Sequence, residues 1–452
     1  MSRAGSHLVD LENIEVHFQD SGLLGRDPEV VKAVDDVSLT IGENEVLALV
    51  GESGCGKTTL GKTAVGLQRP TGGTIRYRGQ DVWEAKEGVG NVSIPYRKIR
   101  RSLQIIHQDP GSSLNPNRTV LANMTVPLNN FRSDLTPSQT EQIVHKFLER
   151  LGITPAENYA NRFPHQLSGG EQQRVVLARA MLMEPDLVLA DEAVSALDVS
   201  LRVEMMDLML ELQEMFNTSY LFISHDFANA RYLAKKAEGR IGVMYLGKLV
   251  EVGSADEILQ NPKHPYTKTL VWSTPSLDPD VAEAEIRKQP PVRTADIPDP
   301  KNPPGGCNFH TRCPKVIPPD DIDIHQRTYN EIMTLRHAID DRTLEVDRIF
   351  ESVGVDPEKE GERRQHAGAF VDETLSEYFE GDLTGAHRGR VEDALEAVAV
   401  GEWETASSTL SEPYASVCER TLPDIDSSAD HPVACHLYAD AETVAPEPTP
   451  TD

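Results

Sequence analysis

The sequence has few basic residues, few cysteines and few aromatic residues, and it has no long apolar run. Lys and Arg number 44 among 452 residues, against 72 Asp and Glu, so the formal net charge is −28. An acidic surface repels phosphate groups, which argues against nucleic acid or an anionic membrane as the main partner. Such an excess of carboxylates is also typical of proteins from a high-salt cytoplasm, so a halophilic origin is one hypothesis.

The other scarcities concern the cellular setting. The longest apolar runs, such as residues 46–50 and 187–190, are far shorter than the about 20 residues that cross a bilayer. The first residues lack the apolar core and the cleavage site of a signal peptide. Five cysteines, four of them after position 300, do not resemble a secreted disulfide scaffold. The sequence predicts a soluble protein inside the cell that reaches a membrane only through a partner.

Short apolar runs alternate with longer helical patterns through most of residues 8–270. The runs at 45–50, 103–106, 187–190 and 220–223 have the continuous hydrophobicity of strands that are buried on both faces. We therefore predict an α/β domain over 1–270 with a mostly parallel sheet. A Pro-rich linker over 271–306, a cysteine-containing extension over 307–438 and a disordered tail over 439–452 should follow.

The extension includes an acidic insert, which we place at residues 320–416. This stretch has 24 acidic and 9 basic residues, and so carries more than half of the net charge. Apolar residues at helical spacing, such as Ile332, Leu335 and Ile339, predict that parts of it are helical, as does the pattern over 388–400. The sequence indicates no function for the insert beyond solvation or regulation.

A glycine-rich segment at residues 51–58, GESGCGKT, matches the phosphate-binding pattern G-x-x-x-x-G-K-[ST]. It follows a strand-like run and precedes a helical pattern, which is the context that this motif requires. Its backbone N–H groups can face phosphates, while Lys57 neutralises the β- and γ-phosphates and Thr58 supplies a hydroxyl to Mg²⁺. The predicted nucleotide-binding residues here are Gly51, Ser53, Gly54, Gly56, Lys57, Thr58 and Thr59.

An acid pair ends a second apolar run, at Asp191 and Glu192. Neighbouring residues on a strand point to opposite sides, so the two carboxylates can serve different purposes. We predict that Asp191 holds Mg²⁺, directly or through water, and that Glu192 acts as the general base for the attacking water.

The segment LSGGE at residues 167–171 completes a pattern that resembles the ATP-binding cassette (ABC) ATPases. Other family landmarks follow in order: Gln108, the segment SALD at 195–198 and the segment SHD at 224–226. The resemblance implies a P-loop ABC fold with a helical signature subdomain at about 110–180, and a head-to-tail dimer that encloses ATP. The resemblance also implies that Gln108 contacts Mg²⁺ or the attacking water and that His225 binds the γ-phosphate. Ser168, Gly169 and Gly170 would bind the γ-phosphate of the ATP that the partner subunit holds. Asp198 lies in the D-loop, and Phe18 either stacks on adenine or is a core residue.

Several stretches resemble one subfamily, the dipeptide/oligopeptide (nickel) importers. They lie at 108–116, 198–202, 243–248, 261–267, 306–314 and 433–438. The resemblance implies a peripheral subunit on the cytoplasmic face of the membrane, with two permease subunits, a second ABC ATPase and an extracellular substrate-binding protein. We expect peptides as the cargo; oligosaccharides or nickel are alternatives. A soluble ABC ATPase acting on ribosomes or DNA is a rival from another class, but it predicts fused cassettes or basic surfaces.

Four late cysteines remain, namely Cys307, Cys313, Cys418 and Cys435. Their spacings fit neither common zinc motifs nor the compact ferredoxin pattern. In an intracellular protein four thiols still favour a metal over disulfides. Some members of the resembled subfamily carry an iron–sulfur cluster on C-terminal cysteines, so the resemblance implies a [4Fe–4S] cluster; zinc and thiols without metal remain open. The long insert between Cys313 and Cys418 departs from the family pattern.

Overall fold

Short apolar runs pair in parallel to form the central sheet. Its strands are β3 (Val46–Val50), β6 (Leu103–Ile106), β7 (Leu187–Asp191), β8 (Ser219–Ser224), β9 (Arg240–Tyr245) and β10 (Lys248–Ser254). They lie in the order β10-β9-β3-β8-β7-β6, and every pair is parallel except the antiparallel pair of β9 with the edge strand β10. All residues of β3, β7 and β8 are buried, as expected for strands covered on both faces. The predicted mostly parallel sheet is confirmed.

A second, antiparallel sheet was not predicted from the sequence. It consists of β1 (His7–Gln19), β2 (Val30–Gly42), β4 (Gly72–Tyr77) and β5 (Gln80–Asp81), in the order β2-β1-β4-β5. Apolar residues of β1, such as Leu11 and Ile14, are buried in one cluster with Leu60 and Leu189. This cluster joins the small sheet to the central sheet.

Helices fill the connections between the strands. They are α1 (Lys57–Ala64), α2 (Val82–Glu87), α3 (Tyr96–Ser102), α4 (Pro110–Ser113), α5 (Val120–Phe131), α6 (Pro137–Arg150), α7 (Ala156–Ala160), α8 (Gly169–Met181), α9 (Val199–Phe216), α10 (Phe227–Lys236), α11 (Ala255–Gln260) and α12 (Pro265–Trp272). Helices α4 to α8 follow one another between β6 and β7. None of the helices in the part of the chain that the structure describes has the length and apolar character to cross a membrane.

The acidic insert is helical. Its region contains α13 (Gln326–Asp340), α14 (Val346–Ser352), α15 (Glu360–Gln365), α16 (Ala367–Tyr378), α17 (Gly385–Ala399) and α18 (Trp403–Ser411), followed by α19 (Val417–Arg420). Ile332, Leu335 and Ile339 are buried along α13, as their spacing predicts. The rings of Phe350 and Phe370 stack with their centroids 4.8 Å apart, so the insert has its own packed interior.

The computed structural model describes residues 7–19, 30–132, 134–274, 292–293, 297–356, 360–381, 383–426 and 429–439. The chain divides into an N-terminal unit (residues 1–274 and 425–434) and a C-terminal unit (residues 275–424 and 435–452). Most of the predicted linker and nearly all of the predicted tail lie outside the described residues, and the predicted domain boundaries stay a prediction.

Residues 425–434, which we name the return segment, belong to the N-terminal unit although the chain on both sides of them belongs to the C-terminal unit. The segment pairs with edge strand β10: Val252 N–H donates to Pro432 O (3.0 Å) and Ala434 N–H donates to Val250 O (2.8 Å). His431 Nε2 lies 2.7 Å from Oε1 of the fully buried Glu251. The return segment therefore lengthens the central sheet by one short antiparallel pairing.

Candidate functional site

The phosphate-binding loop runs from the end of β3 to the start of α1. Gly51 and Gly56 have positive φ angles of 151° and 104°. A Cβ atom at Gly51 would lie 2.1 Å from Met244 O, and one at Gly56 would lie 2.0 Å from Ala33 O. Both glycines are required because a side chain there would collide with backbone. The rest of the loop is more open, with Ser53 and Gly54 exposed and Thr59 half-buried.

Lys57, Thr58 and Asp191 meet at the base of this loop. The Nζ of Lys57, which is buried, donates to Gly51 O and Glu52 O, each at 2.8 Å. The Thr58 hydroxyl donates to Asp191 Oδ1 at 2.8 Å, although the two residues are 133 positions apart. The structure thus brings the two predicted Mg²⁺ ligands of the loop and the acid pair into direct contact.

Three further predicted residues follow the carboxyl ends of adjacent strands. In the parallel register Ile106 faces Ala190 and Asp191 faces Ile223, so Gln108, Glu192 and His225 come just after the same edge of the sheet. Glu192 has a left-handed backbone (φ 52°), which is uncommon for a non-glycine residue and is often found at functional sites.

Glu192 and His225 are in contact, whereas Gln108 is exposed. The Oε2 of Glu192 lies 3.1 Å from Nδ1 of His225, and the Glu192 side chain is about one fifth exposed. Gln108 lies two residues beyond the end of β6. The carboxylate, the imidazole and the amide therefore follow the carboxyl ends of three adjacent strands, at the edge of the sheet where β3 leads into the phosphate-binding loop.

The LSGGE segment forms the start of helix α8. Ser168 caps the helix: its hydroxyl accepts from Glu171 N–H (3.3 Å), and its own N–H donates to Glu171 Oε2 (2.7 Å). Tyr159 O–H donates to the other oxygen of Glu171 at 2.8 Å. Ser168 and Gly169 are exposed and Gly170 is half-buried, so the positive end of the helix dipole faces outward.

The D-loop aspartate and the predicted adenine-stacking residue are also exposed. Asp198 caps helix α9 by accepting from Leu201 N–H at 3.1 Å, and this hydrogen bond lowers the pKa of its carboxyl group. Phe18 lies on β1 with 45% of its surface exposed, so it is not a core residue. Contact of Phe18 with adenine stays a prediction.

The four late cysteines all belong to the C-terminal unit. Cys307 N–H donates to Cys418 O at 2.7 Å, and Lys315 N–H donates to the sulfur of Cys313 at 3.4 Å. Burial raises the pKa of Cys307 to about 12 and raises that of Cys313, and the charges of the other late cysteines, Cys435 included, add to both increases. The thiols are therefore close enough to act on one another in a site with little water.

A chain of contacts behind the phosphate-binding loop was missed in the sequence analysis. The backbone N–H of Glu52, within the loop, donates to the hydroxyl of buried Tyr266 at 2.9 Å. Tyr266 N–H donates to His264 Nδ1 (3.1 Å), and His264 N–H donates to Glu251 (2.9 Å). Burial lowers the pKa of His264 to about 4. The segment 261–267 resembles the importer subfamily, but its spacing carries no signal for this support.

Three family models match the chain. The model described as ABC transporter matches residues 34–195, and the model described as oligopeptide/dipeptide transporter, C-terminal region, matches residues 250–318. A model described as a domain of unknown function (DUF8228) matches residues 326–431, most of which lie in the acidic insert. The fold, the phosphate-binding loop and the first model define an ABC-type ATPase, which uses ATP and Mg²⁺.

Similar proteins narrow this class. Oligopeptide transport ATP-binding protein AppF of Bacillus subtilis is 41% identical over 312 residues, which are 69% of this chain and 90% of that protein. Dipeptide transport ATP-binding protein DppF of Escherichia coli is 40% identical over 313 residues, 69% of this chain and 88% of that protein. A solved ABC transporter cassette, MJ0796, is 27% identical over 55% of this chain and 98% of its own, with a TM-score of 0.46. The chain belongs to the family of oligopeptide and dipeptide ABC transporter ATP-binding proteins, which confirms the resemblance.

Proposed function

We propose that this chain is the ATP-hydrolysing subunit of an importer of dipeptides or oligopeptides. The observation that carries this proposal is the presence, in one chain, of a complete ATP site and a C-terminal region matched by the oligopeptide/dipeptide transporter model. The subunit works at the cytoplasmic face of the membrane, where the surface around residues 108–123 receives two permease subunits. A second ATPase, identical or related, and an extracellular substrate-binding protein complete the importer.

Lys57 and the Thr58–Asp191 pair bind the nucleotide in this proposal. The Lys57 ammonium group now donates to two loop carbonyls, and it turns to the β- and γ-phosphates when ATP enters. Thr58 and Asp191 are already 2.8 Å apart, so both can bind one Mg²⁺ with little movement. Gly51, Gly56 and the loop backbone surround the phosphates.

Glu192 is the general base of the proposed reaction. It abstracts a proton from the water that attacks the γ-phosphate, and His225, which contacts it at 3.1 Å, binds the γ-phosphate. Gln108 contacts Mg²⁺ or the attacking water from the neighbouring strand. Hydrolysis and release of the γ-phosphate remove the negative charge that His225 and Gln108 would sense.

The signature segment acts on the other subunit. Ser168, Gly169 and the start of α8 are exposed, so they can reach the γ-phosphate held by the loop of a partner chain. The helix dipole favours negative charge at that position. ATP therefore joins two subunits, and its hydrolysis releases them.

The four late cysteines hold a [4Fe–4S] cluster in this proposal. They are mutually close, Cys313 and Cys418 are buried, and the sulfur of Cys313 accepts a backbone hydrogen bond, which suits cluster thiolates. A bound cluster supplies a redox-active or structural centre.

Iron and acid-labile sulfide, measured after purification without oxygen, test the cluster. We expect a brown protein that contains both elements, and a Cys313→Ser variant that loses them while Cys55→Ser, which changes a cysteine of the phosphate-binding loop, keeps them. A colourless, iron-free wild-type protein would contradict the cluster but not the transport function.

The acidic surface fits work in a cytoplasm of high salt concentration, and we include this in the proposal. The carboxylates behind the net charge of −28 repel one another less when monovalent cations screen them. A halophilic protein should therefore gain stability with salt, which is tested below.

Affinity purification of Glu192→Gln from solubilised membranes with Mg-ATP tests the importer. We expect two multi-span permeases and an ABC ATPase to copurify, because ATP that is not hydrolysed keeps the dimer closed. Lys57→Ala, which cannot hold the phosphates, is the matched control. Ribosomal or DNA-bound partners without a permease would refute the importer and favour the rival class.

Cargo is then measured by uptake. Cells that lack this chain should lose uptake of a labelled tripeptide, and wild-type but not Glu192→Gln should restore it. Restored uptake of nickel or an oligosaccharide, without any peptide uptake, would refute the peptide cargo and leave the ATPase function intact.

A further inference from the structure

Two histidines and a glutamate meet in the C-terminal unit, outside the ATP site. They do not include the four late cysteines, although His310 contacts Cys307 and Glu419 directly follows Cys418. One ligand atom each of His310, His337 and Glu419 lies within 4.8 Å of the other two. The Nε2 atoms of His310 and His337 lie 3.8 and 3.9 Å from Glu419 Oε1. These distances are too long for hydrogen bonds but close to the ~3.4 Å that separates ligands of a tetrahedral zinc ion.

His310 is oriented for metal binding by its backbone neighbour. Its Nδ1 lies 2.9 Å from Cys307 O, and a carbonyl oxygen can only accept, so Nδ1 carries the hydrogen and Nε2 has a lone pair directed toward Glu419. Metal-binding histidines usually donate their second ring nitrogen in this way. The residue is only 5% exposed, so its orientation is fixed by packing.

Hydrogen bonds also fix the orientation of the Glu419 carboxylate. Its Oε2 accepts from Ser416 N–H at 2.8 Å, and both of its oxygens accept from the guanidinium group of Arg336, at 2.8 and 3.1 Å. The Oε1 atom that faces both imidazoles is thereby fixed in place. Carboxylate and imidazole together form the donor set of many zinc sites with two histidines and one glutamate.

Among the residues that line the cavity, negative charge exceeds positive charge even though Arg336 is near. The Nε of Arg336 lies 3.4 Å from Asp340 Oδ2, so a second carboxylate offsets the guanidinium charge. Asp299 and Asp341 line the same cavity together with Glu419. Carboxylates therefore outnumber the single guanidinium group among the lining residues.

The cavity leaves room for a further ligand. Its volume is about 850 Å³, and all three residues lie on its wall. A metal ion bound there would keep an open position for water or for a small anion, which distinguishes it from a closed structural site.

We propose that His310, His337 and Glu419 form a binding site for a divalent transition metal, with Zn²⁺ as the ion that the donor set fits best. His310 lies in the region matched by the transporter C-terminal model, whereas His337 and Glu419 lie in the region matched by the DUF8228 model. The ion would therefore fasten helices α13 and α19 to the cysteine region. This proposal does not depend on the transport function, and its three ligands differ from the four late cysteines.

Co²⁺ is the probe, because its spectrum distinguishes this site from the cysteines. Cobalt bound to nitrogen and oxygen shows only visible d–d bands, whereas thiolate ligands add a sulfur-to-cobalt charge-transfer band in the near ultraviolet. We expect the full-length protein to bind one Co²⁺ per chain without the charge-transfer band, and excess Zn²⁺ to displace it. Binding only with the charge-transfer band would place the metal on the cysteines and overturn the proposal.

Substitutions of His337 supply the specific test, with His366→Gln, which changes an exposed histidine of the same unit, as the control. We expect His337→Gln to weaken Co²⁺ binding at least about tenfold, as for lost ligands and their supports in other metal sites, and His366→Gln to leave it unchanged. His337→Cys should bind Co²⁺ and gain the charge-transfer band, a result that a misfolded variant could not give. Unchanged affinity in His337→Gln, or no new band in His337→Cys, would refute the site.

Discussion

Glu192 and His225 illustrate what a single contact at the residue scale implies for catalysis. The carboxylate lies 3.1 Å from the imidazole, at a left-handed turn that directs it out of the sheet. Asp191, the preceding residue, points instead to Thr58. In the reaction proposed above, the end of β7 therefore directs the general base and the Mg²⁺ ligand to different partners.

Replacement of Glu192 by Gln should separate nucleotide binding from hydrolysis. We expect ATP binding close to that of the wild type and hydrolysis at least ~100-fold slower, because the amide cannot accept the proton of the attacking water. Steady-state phosphate release and equilibrium ATP binding measure the two effects. Glu211→Gln, on an exposed face of α9, should hydrolyse normally; near-normal turnover by Glu192→Gln would remove Glu192 from the role of base.

Stability should fall on acidification because of His264. This imidazole is fully buried, and its pKa falls to about 4 in the folded state, from the 6.5 of an exposed histidine. The unfolded chain therefore binds the proton first, so the contribution of His264 is complete above pH 6.5 and disappears as the pH falls toward 4.

The variant His264→Asn tests this contribution. Asn can still accept from Tyr266 N–H at the start of α12 but does not titrate. Between pH 6.5 and 4 the free energy of unfolding of the wild type should fall more steeply than that of the variant, by up to about 1.4 kcal/mol per pH unit. Urea denaturation at each pH measures both. Parallel pH profiles of the free energy of unfolding of the two proteins would contradict the contribution of His264.

At the scale of elements, strands with continuous burial could be predicted and strands with mixed burial could not. Strands β3, β7 and β8 are buried at every position and mostly apolar, because helices cover both faces of the sheet, and the short strand β6 is apolar except for Gln104. Strands β1 and β2 instead mix exposed and buried positions and are displaced by bulges, so their period of two is broken. The return segment has no strand pattern at all, since its pairing with β10 comes from residues far away in the sequence.

Candidate site residues could likewise be predicted where they are close in sequence, and not where they come from distant segments. The phosphate-binding loop and the LSGGE segment are contiguous, so their sequence spacing alone identifies them. Tyr266 supports the loop from 214 residues away, and the two histidines and Glu419 lie on separate segments. Only the folded chain brings such residues together, because no local periodicity records a contact between distant segments.

The return segment should contribute measurably to the stability of the N-terminal unit. His431→Leu leaves Glu251 buried without its imidazole partner, although two backbone N–H groups still bind it. We expect a loss of about 1–3 kcal/mol in free energy of unfolding, the range for a buried polar group that loses a partner. Urea denaturation measures it, with exposed Asp430→Asn as the control; equal midpoints for the two variants would contradict the role of His431.

At the scale of the whole molecule, charge is unevenly distributed. The insert carries more than half of the net charge of −28, on helices that pack around their own apolar residues. Repulsion among these carboxylates opposes the folded state and weakens as salt screens it. The insert is therefore the part of the chain whose stability should respond most to ionic strength.

The melting temperature should rise with KCl from 0.01 M to about 0.15 M, where the Debye length falls from about 30 Å to about 8 Å. Asp372→Asn combined with Glu373→Gln, at exposed positions of α16, should melt higher than the wild type at low salt and respond less to KCl. Differential scanning calorimetry of both proteins measures the effect. A melting temperature that is independent of KCl in this range would contradict a surface limited by its own charge.

The path of the chain has a consequence for fragments. The backbone passes between the two units three times, at residues 274, 424 and 434, and its last visit to the N-terminal unit is the strand pairing of Val252 with Pro432 and of Ala434 with Val250. A protease site engineered within residues 275–291 would therefore produce two polypeptides that remain joined, because the second carries a strand of the first one's sheet. The protein would then behave as a split protein, whose halves exchange only when the edge of the sheet opens.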